Sequence, residues 1–317
     1  MRILLVKTSS LGDVIHNLPV VSDLKRHFPD ATIDWCVEEN FAAIPRLHPG
    51  VGRIIPVAIR RWRKALFNAA TWREIGAAIA QLRDTPYDLI VDTQGLLKSA
   101  LLASRARGVV CGYTADSARE PLAARFYRRR FGISRDLHAV VRNRRLVAAA
   151  LGYTDDTPPD YGIAAPSSAL AWLPAVPYVV LLTATSRDDK LWPETHWLDL
   201  GRKLHANGLR AVLPGGSVVE RARAARLAAA LPEAVVAPPL ALAELATLLA
   251  GARAAIGVDT GLTHLAVALD TPTVALYTAT DPGLTGVFGS GYVRNLGGKG
   301  LVPSPDEVLA ALPASAA

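Results

Sequence analysis

The chain has 317 residues, 50% hydrophobic and 20% charged, with mean hydropathy +0.23. That length and apolar content suit two globular domains with cores of their own and exclude disorder, collagen and coiled coil. Its two cysteines, Cys36 and Cys111, show no CxxC or Cys/His spacing, so neither a zinc site nor a disulfide framework is expected.

The net charge of +7 is unevenly spread. Residues 1–160 hold 24 Lys/Arg against 16 Asp/Glu (+8), and residues 161–317 hold 11 against 12 (−1). A basic first half implies an anionic partner, and nucleic acid, acidic lipid headgroups and phosphorylated sugars all qualify. A strand-like run follows Met1 with no secretory signal before it, and no apolar run reaches the ~18 residues of a membrane span. A soluble protein of the reducing cytosol is expected, one still able to touch a membrane surface.

In chain order, the first half reads as a strand at 2–7, a helix at 13–27 and strands at 32–37 and 53–57. A helix at 72–83, a strand at 87–92 and helices at 96–104 and 139–151 follow. The stretch 152–177 holds five prolines and reads as a linker. Alternation then restarts, with strands at 178–183, 210–213, 234–237, 254–258 and 273–277. Helices are expected at 194–206, 218–230, 242–250 and 262–269, and a last one begins near Pro305 with Ser304 as N-cap. This pattern predicts an α/β protein of two Rossmann-like, doubly wound domains facing across a cleft. The expected boundaries are 1–155 and 176–317, with a linker at about 156–175 and the last helix free to pack back on the N-terminal domain.

Four strand-to-helix loops could carry chemistry. Lys7-Thr8-Ser9-Ser10-Leu11-Gly12-Asp13 places a carboxylate at a helix start, either as a cap or as a base that removes a proton from a substrate hydroxyl. No GxGxxG follows that strand, which counts against a nicotinamide oxidoreductase. In Thr183–Pro193, hydroxyls and Lys190 suit phosphate oxygens. Leu213-Pro214-Gly215-Gly216-Ser217 allows close backbone approach, and Glu220 either accepts from a ribose diol or is a solvated helix-start acid. Val258-Asp259-Thr260-Gly261-Leu262-Thr263-His264 opens a helix whose positive end can hold a pyrophosphate. Taken singly, Asp259 reads as a cap and His264 as a core histidine. Three polar loops in one half favour a shared nucleotide site.

Basic residues cluster elsewhere, at Arg60-Arg61-Trp62-Arg63-Lys64, Lys98, Arg119, Arg128–Arg130 and Arg142/Arg144/Arg145. The first cluster, with Trp62, Leu66 and Phe67 interleaved, fits a solvated face, an anionic membrane surface or a phosphate clasp. As a membrane contact it would put Trp62 into the interfacial layer.

Four segments in this order, KTSSLGDVIHNLP, TSRDDKxWPExHW, LPGG and VDTGLTHLAVAL, resemble the lipopolysaccharide heptosyltransferases of glycosyltransferase family 9. The likeness is greatest to members that add the first inner-core heptose, and it runs from Met1 to Asp281–Leu284. It implies a GT-B enzyme whose C-terminal domain holds the sugar nucleotide and whose N-terminal domain holds the acceptor. The donor would be ADP-L-glycero-β-D-manno-heptose, a substrate rather than a cofactor, and no metal or other cofactor is needed. The acceptor would be Kdo2-lipid A, at the cytoplasmic face of the inner membrane. A monomer is expected, peripheral on that anionic surface, with no nucleic-acid partner. Asp13 matches the family's catalytic base in an inverting transfer. Thr185, Ser186, Lys190, Glu220, Asp259, Thr260, Gly261 and His264 fall on donor-binding positions. Ser186 stands where close relatives have Thr, and Leu240 where Met is expected beside the adenine. Arg60, Arg61, Arg63, Lys64, Lys98 and Arg119 are the acceptor-binding candidates. The alternatives are a family member using an already heptosylated acceptor and, more remotely, a non-enzymatic anion-binding protein.

Overall fold

A computed structural model describes residues 1–173 and 175–314 and divides the chain into two compact units, Met1–Ile163 and Ala164–Ala317. In the first unit the strands are β1 (Arg2–Val6), β2 (Thr32–Glu38), β3 (Val51–Val57), β4 (Pro86–Asp92), β5 (Arg107–Tyr113) and β6 (Arg129–Phe131). They lie in the order β3-β2-β1-β4-β5-β6. The second unit holds β7 (Tyr178–Leu182), β8 (Arg210–Leu213), β9 (Val235–Val236), β10 (Ala254–Val258), β11 (Thr273–Tyr277) and β12 (Val293–Gly297). Their order is β12-β11-β10-β7-β8-β9, the same winding as the first.

Pairing between these strands is parallel throughout. The central strands are buried on both faces, which is why they read as unbroken apolar runs: Ile3–Val6 and Val179–Leu181 have no exposed surface. One core packs Leu4, Val6, Ile90 and Tyr127, and the other packs Val179, Trp192, Trp197, Ile256 and Leu276. In each unit the winding reverses beside the first strand, between β1 and β4 and between β7 and β10. Open α/β sheets bind ligands at the carboxyl ends of the strands flanking that point.

The expected 13–27 helix is two helices, Leu11–Ile15 and Leu18–His27. Pro19, in the first turn of the second, has no N–H to continue the first and would clash with its last turn. Strands β5, β6 and β12 were not anticipated. The proline-rich stretch is shared between the units: Arg144 Nη1 donates to Thr157 O at 2.8 Å, and Thr247 Oγ1 donates to Pro166 O at 3.1 Å. Ser304 caps the last helix, Pro305–Ala310, through a reciprocal pair with Glu307. Val308 and Leu312, in and just after that helix, are buried in the core of the second unit.

Candidate active site

In the second unit the loops leaving β7 and β10 meet on Asp259. Thr185 Oγ1 donates to the Asp259 carbonyl at 3.0 Å, and Lys190 Nζ lies 2.7 Å from Oδ2. Thr280 Oγ1, past the end of β11, donates to the same oxygen at 2.8 Å, and His264 Nε2 lies 3.9 Å from Oδ1. Burial opposes the charge on Asp259, but His264, Lys190 and Thr280 outweigh it and hold the carboxyl well below the usual range. Asp259 therefore stays ionised and its ammonium partner stays in place.

Thr260 follows in an extended conformation and caps the helix Gly261–Ala268 without a side-chain bond, so the first-turn N–H groups form its positive end. Gly257 lets that helix approach β10 closely, because a Cβ there would stand 2.3 Å from Thr263 Oγ1. Beside it lies a pocket of about 60 Å³ lined by Thr183, Gly215, Gly216, Glu220, Thr260 and Leu262. Glu220 Oε2 accepts from the Gly216 and Ser217 amides at 2.8 and 2.9 Å, which fixes the diglycine turn. Thr183 Oγ1 is buried at the pocket without a hydrogen-bond partner.

In the first unit the loop leaving β1 is clamped by Gln94, past the end of β4. Gln94 Oε1 accepts from the Thr8 amide and hydroxyl, both at 2.7 Å, and its Nε2 donates to the Ser9 carbonyl. Asp13 then reaches back: its Oδ2 accepts from the Ser10 N–H and hydroxyl, both at 2.9 Å, and lies 3.7 Å from Arg119 Nη1. Burial works against its charge, yet Lys7, the Ser10 bonds and Arg119 prevail and lower its pKa. A quarter of the Asp13 side chain remains exposed.

Lys7 is buried, donating to Thr93 O at 2.8 Å and Asn143 Oδ1 at 3.3 Å. Burial pulls its pKa down to about 8 against the attraction of Asp13 and Asp92. Lys98 donates to Ser9 Oγ at 3.0 Å. Its own pKa is lowered, first by burial and then, against Glu38, by Arg60 and Arg63.

Residues 75–303 match the family model for glycosyltransferase family 9 (heptosyltransferase). The chain belongs to glycosyltransferase family 9. It is 50% identical over 296 residues to lipopolysaccharide heptosyltransferase 1 of Pseudomonas aeruginosa, covering 93% of this chain and 83% of that one. The solved structure of the E. coli heptosyltransferase WaaC with ADP superposes with a TM-score of 0.90 at 44% identity, over 98% of each chain. Likeness to lipopolysaccharide heptosyltransferase 3 of E. coli is 27% over 286 residues, covering 85% and 81%. The chain is thus a GT-B glycosyltransferase, and its two sheets are the two Rossmann-like halves of that fold.

The fold of this family 9 enzyme gathers Thr185, Lys190, Asp259, Thr260 and His264 into one cluster and sets Glu220 at the adjoining pocket. Gly261 opens the helix beside them, while Ser186 is exposed in the loop. Asp13, Arg119 and Lys98 gather around the loop after β1, with Arg60 and Arg63 within electrostatic reach of Lys98. Lys64 is exposed.

One expectation needs correction. Trp62 is not free to enter a membrane: it is buried in the first core and donates Nε1 to Glu74 at 2.9 Å. Arg61 is held by Glu39 and Glu74, at 3.1 and 2.7 Å, which occupies its guanidinium. Elsewhere, Arg129 and Arg130 belong to β6, and Arg144 is a buried partner of Asp23 at 2.7 Å.

Lys7, Gln94, Thr183 and Thr280 were not singled out as site residues. For Gln94 a signal existed: Asp92-Thr93-Gln94-Gly95 ends β4 as Asp259-Thr260-Gly261 follows β10, the equivalent strand of the second sheet.

Among the described residues no group of three or more His, Cys, Asp or Glu could hold a metal ion, and no helix is long and apolar enough to cross a membrane.

Proposed function

We propose that this chain moves L-glycero-D-manno-heptose from ADP-L-glycero-β-D-manno-heptose to a Kdo hydroxyl of Kdo2-lipid A, the first heptose of the lipopolysaccharide inner core. The observation that carries this reading is 48–50% identity to heptosyltransferase 1 relatives over more than nine-tenths of the chain. The site supplies the matching chemistry. The second unit offers an ammonium, hydroxyls and a helix N-terminus for the diphosphate, and the first offers an ionised carboxylate among cations for a phosphorylated, carboxylate-bearing acceptor.

In this reading Asp13 takes the acceptor proton on Oδ1, the oxygen that Ser10 and Arg119 do not use. The freed hydroxyl oxygen bonds to heptose C1 while the C1–O bond to ADP breaks on the opposite face, so the anomeric configuration inverts. The electron pair leaves with the β-phosphate of ADP. Lys190 and the amides of Thr260 and Gly261 stabilise that charge, one such donor contributing ~3–4 kcal/mol in the transition state. Asp259 orients Lys190 and accepts from heptose hydroxyls. Glu220 accepts from the ribose through Oε1, leaving Oε2 to its turn. The acceptor places the working enzyme at the cytoplasmic face of the inner membrane.

The test is incubation with ADP-heptose and either Kdo2-lipid A or heptosyl-Kdo2-lipid A, read by mass spectrometry. One heptose added to Kdo2-lipid A is the expected product. Heptose added only to the second acceptor overturns the reading in favour of a later heptosyltransferase.

A further inference from the structure

The segment joining the helices Ile59–Trp62 and Ala69–Arg83, with the first turn of the second helix, presents large apolar side chains to solvent. Phe67 is wholly exposed (107%), Trp72 is 59% exposed and Leu66 is 47% exposed. The loop is nonetheless built. Trp62 anchors one end in the core through Glu74, and Trp72 Nε1 donates to the Leu66 carbonyl at 2.8 Å. Asn68 Oδ1 caps the following helix through the Ala70 amide at 2.9 Å. The backbone is thereby held with Leu66 and Phe67 facing solvent.

Charge completes the pattern. Residues 59–73 contain five Lys/Arg and no Asp or Glu. Arg61 is neutralised by Glu39 and Glu74, while Arg60, Arg63, Lys64 and Arg73 are exposed. An apolar tip alone would suit many partners. Rimmed by cations, it matches an anionic bilayer, where rings enter the interfacial layer and ammonium and guanidinium groups meet headgroup phosphates.

We propose that Leu66, Phe67 and Trp72 form a docking tip that inserts into the interface of an anionic phospholipid bilayer, with Arg63, Lys64 and Arg73 on the headgroups. This deepens the reading above, in which the acceptor is a membrane lipid, and assigns the apolar part of the enzyme's hold on the bilayer to Leu66, Phe67 and Trp72.

The test is co-sedimentation of the full chain with vesicles of phosphatidylcholine alone or mixed with phosphatidylglycerol. Binding is expected to the mixed vesicles, weakened by salt. It should fall about tenfold or more in the Leu66→Ser/Phe67→Ser double variant. Trp72 emission should shift to the blue on mixed vesicles, a change absent in Trp72→Phe. Turnover of the double variant on a de-acylated, water-soluble Kdo2 acceptor should equal that of the unaltered enzyme. Equal vesicle binding by the double variant, or no binding by the unaltered chain, overturns the proposal. So does loss of turnover on the de-acylated acceptor, which would place Leu66 and Phe67 in the acceptor site. Vesicle binding without transfer to either acceptor would support the docking tip and sink the catalytic reading instead.

Discussion

Because Ser10 and Arg119 engage Oδ2 of Asp13, the same side chain closes the first turn of its helix and leaves Oδ1 for the base role proposed above. The two roles separate in Asp13→Asn, which keeps an oxygen for Ser10 but loses the basic carboxylate. Its kcat should fall roughly 10²–10⁴-fold with little change in melting temperature or ADP affinity. Near-normal kcat would leave Asp13 as a cap alone. Lys7 is the foremost of the attractions that keep Asp13 ionised against burial. Lys7→Met should therefore raise the Asp13 pKa and move the acid limb of the kcat/KM profile to higher pH. An unmoved limb would show that Ser10 and Arg119 suffice. At the proposed donor end, Lys190 and Thr280 both hold Asp259 Oδ2, so this oxygen is committed to protein partners. Lys190→Ala should lower kcat by about 10²–10³-fold, and EDTA should leave the unaltered enzyme's rate unchanged. Turnover lost on chelation and restored by Mg²⁺ would assign Asp259 to a metal.

At the scale of elements, the proposed donor site depends on how closely the helix Gly261–Ala268 sits on β10. A methyl group at Gly257 would meet Thr263 Oγ1 at 2.3 Å and Leu182 Cβ at 2.9 Å, neither at the end of a long flexible chain. Gly257→Ala should push the helix outwards, costing about 1–3 kcal/mol of stability and weakening ADP binding by displacing the first-turn amides. Calorimetric melting and ADP titration check both, and unchanged ADP affinity would show that the close approach serves packing only. The elements around this helix were legible in the sequence because β7, β10 and β11 are buried on both faces and appear as short apolar runs between polar loops. The less regular strands were not. β6 is three residues with both arginines exposed, β12 is a partly exposed strand at the equivalent edge of the second sheet, and β5 carries Gly112, placed against the Tyr127 ring. An edge strand has one neighbour and needs no apolar run. The same distinction holds in the site. Asp259, His264 and Lys190 lie in motifs of their own, whereas Thr280 reaches Asp259 only because β11 lies beside β10, an adjacency that local spacing does not encode.

Across the whole molecule some of the positive charge serves the fold rather than a ligand. Arg2 and Arg53 flank the buried Asp34 at 2.8 and 3.4 Å, Arg144 pairs with Asp23, and Arg61 spans Glu39 and Glu74. These four arginines are balanced by four carboxylates, so the +8 excess of the first half lies in other residues. Among the acceptor candidates, Arg60, Arg63, Lys64, Lys98 and Arg119 lie outside these pairs, and in the proposed function they meet phosphates and carboxylates of the acceptor. The two classes predict opposite phenotypes. Arg63→Gln/Lys64→Gln should raise KM for a de-acylated Kdo2 acceptor and flatten its salt dependence, because exposed charges act over about a Debye length, ~10 Å at 0.1 M salt. Stability and the KM for ADP-heptose should hold, since the donor residues belong to the other unit. Arg144→Gln also removes positive charge, but from a pair with 4% and 2% of its side-chain surface exposed. Breaking a buried pair from one side costs about 3–5 kcal/mol, and Arg26, 3.2 Å from Asp23, should hold the loss to the lower end. That variant should unfold at lower denaturant concentration while its folded fraction keeps the acceptor KM. A comparable rise in acceptor KM in Arg144→Gln would mean that net charge alone steers the acceptor. A flat KM in the double variant across a salt series would leave Arg63 and Lys64 as a solvated face.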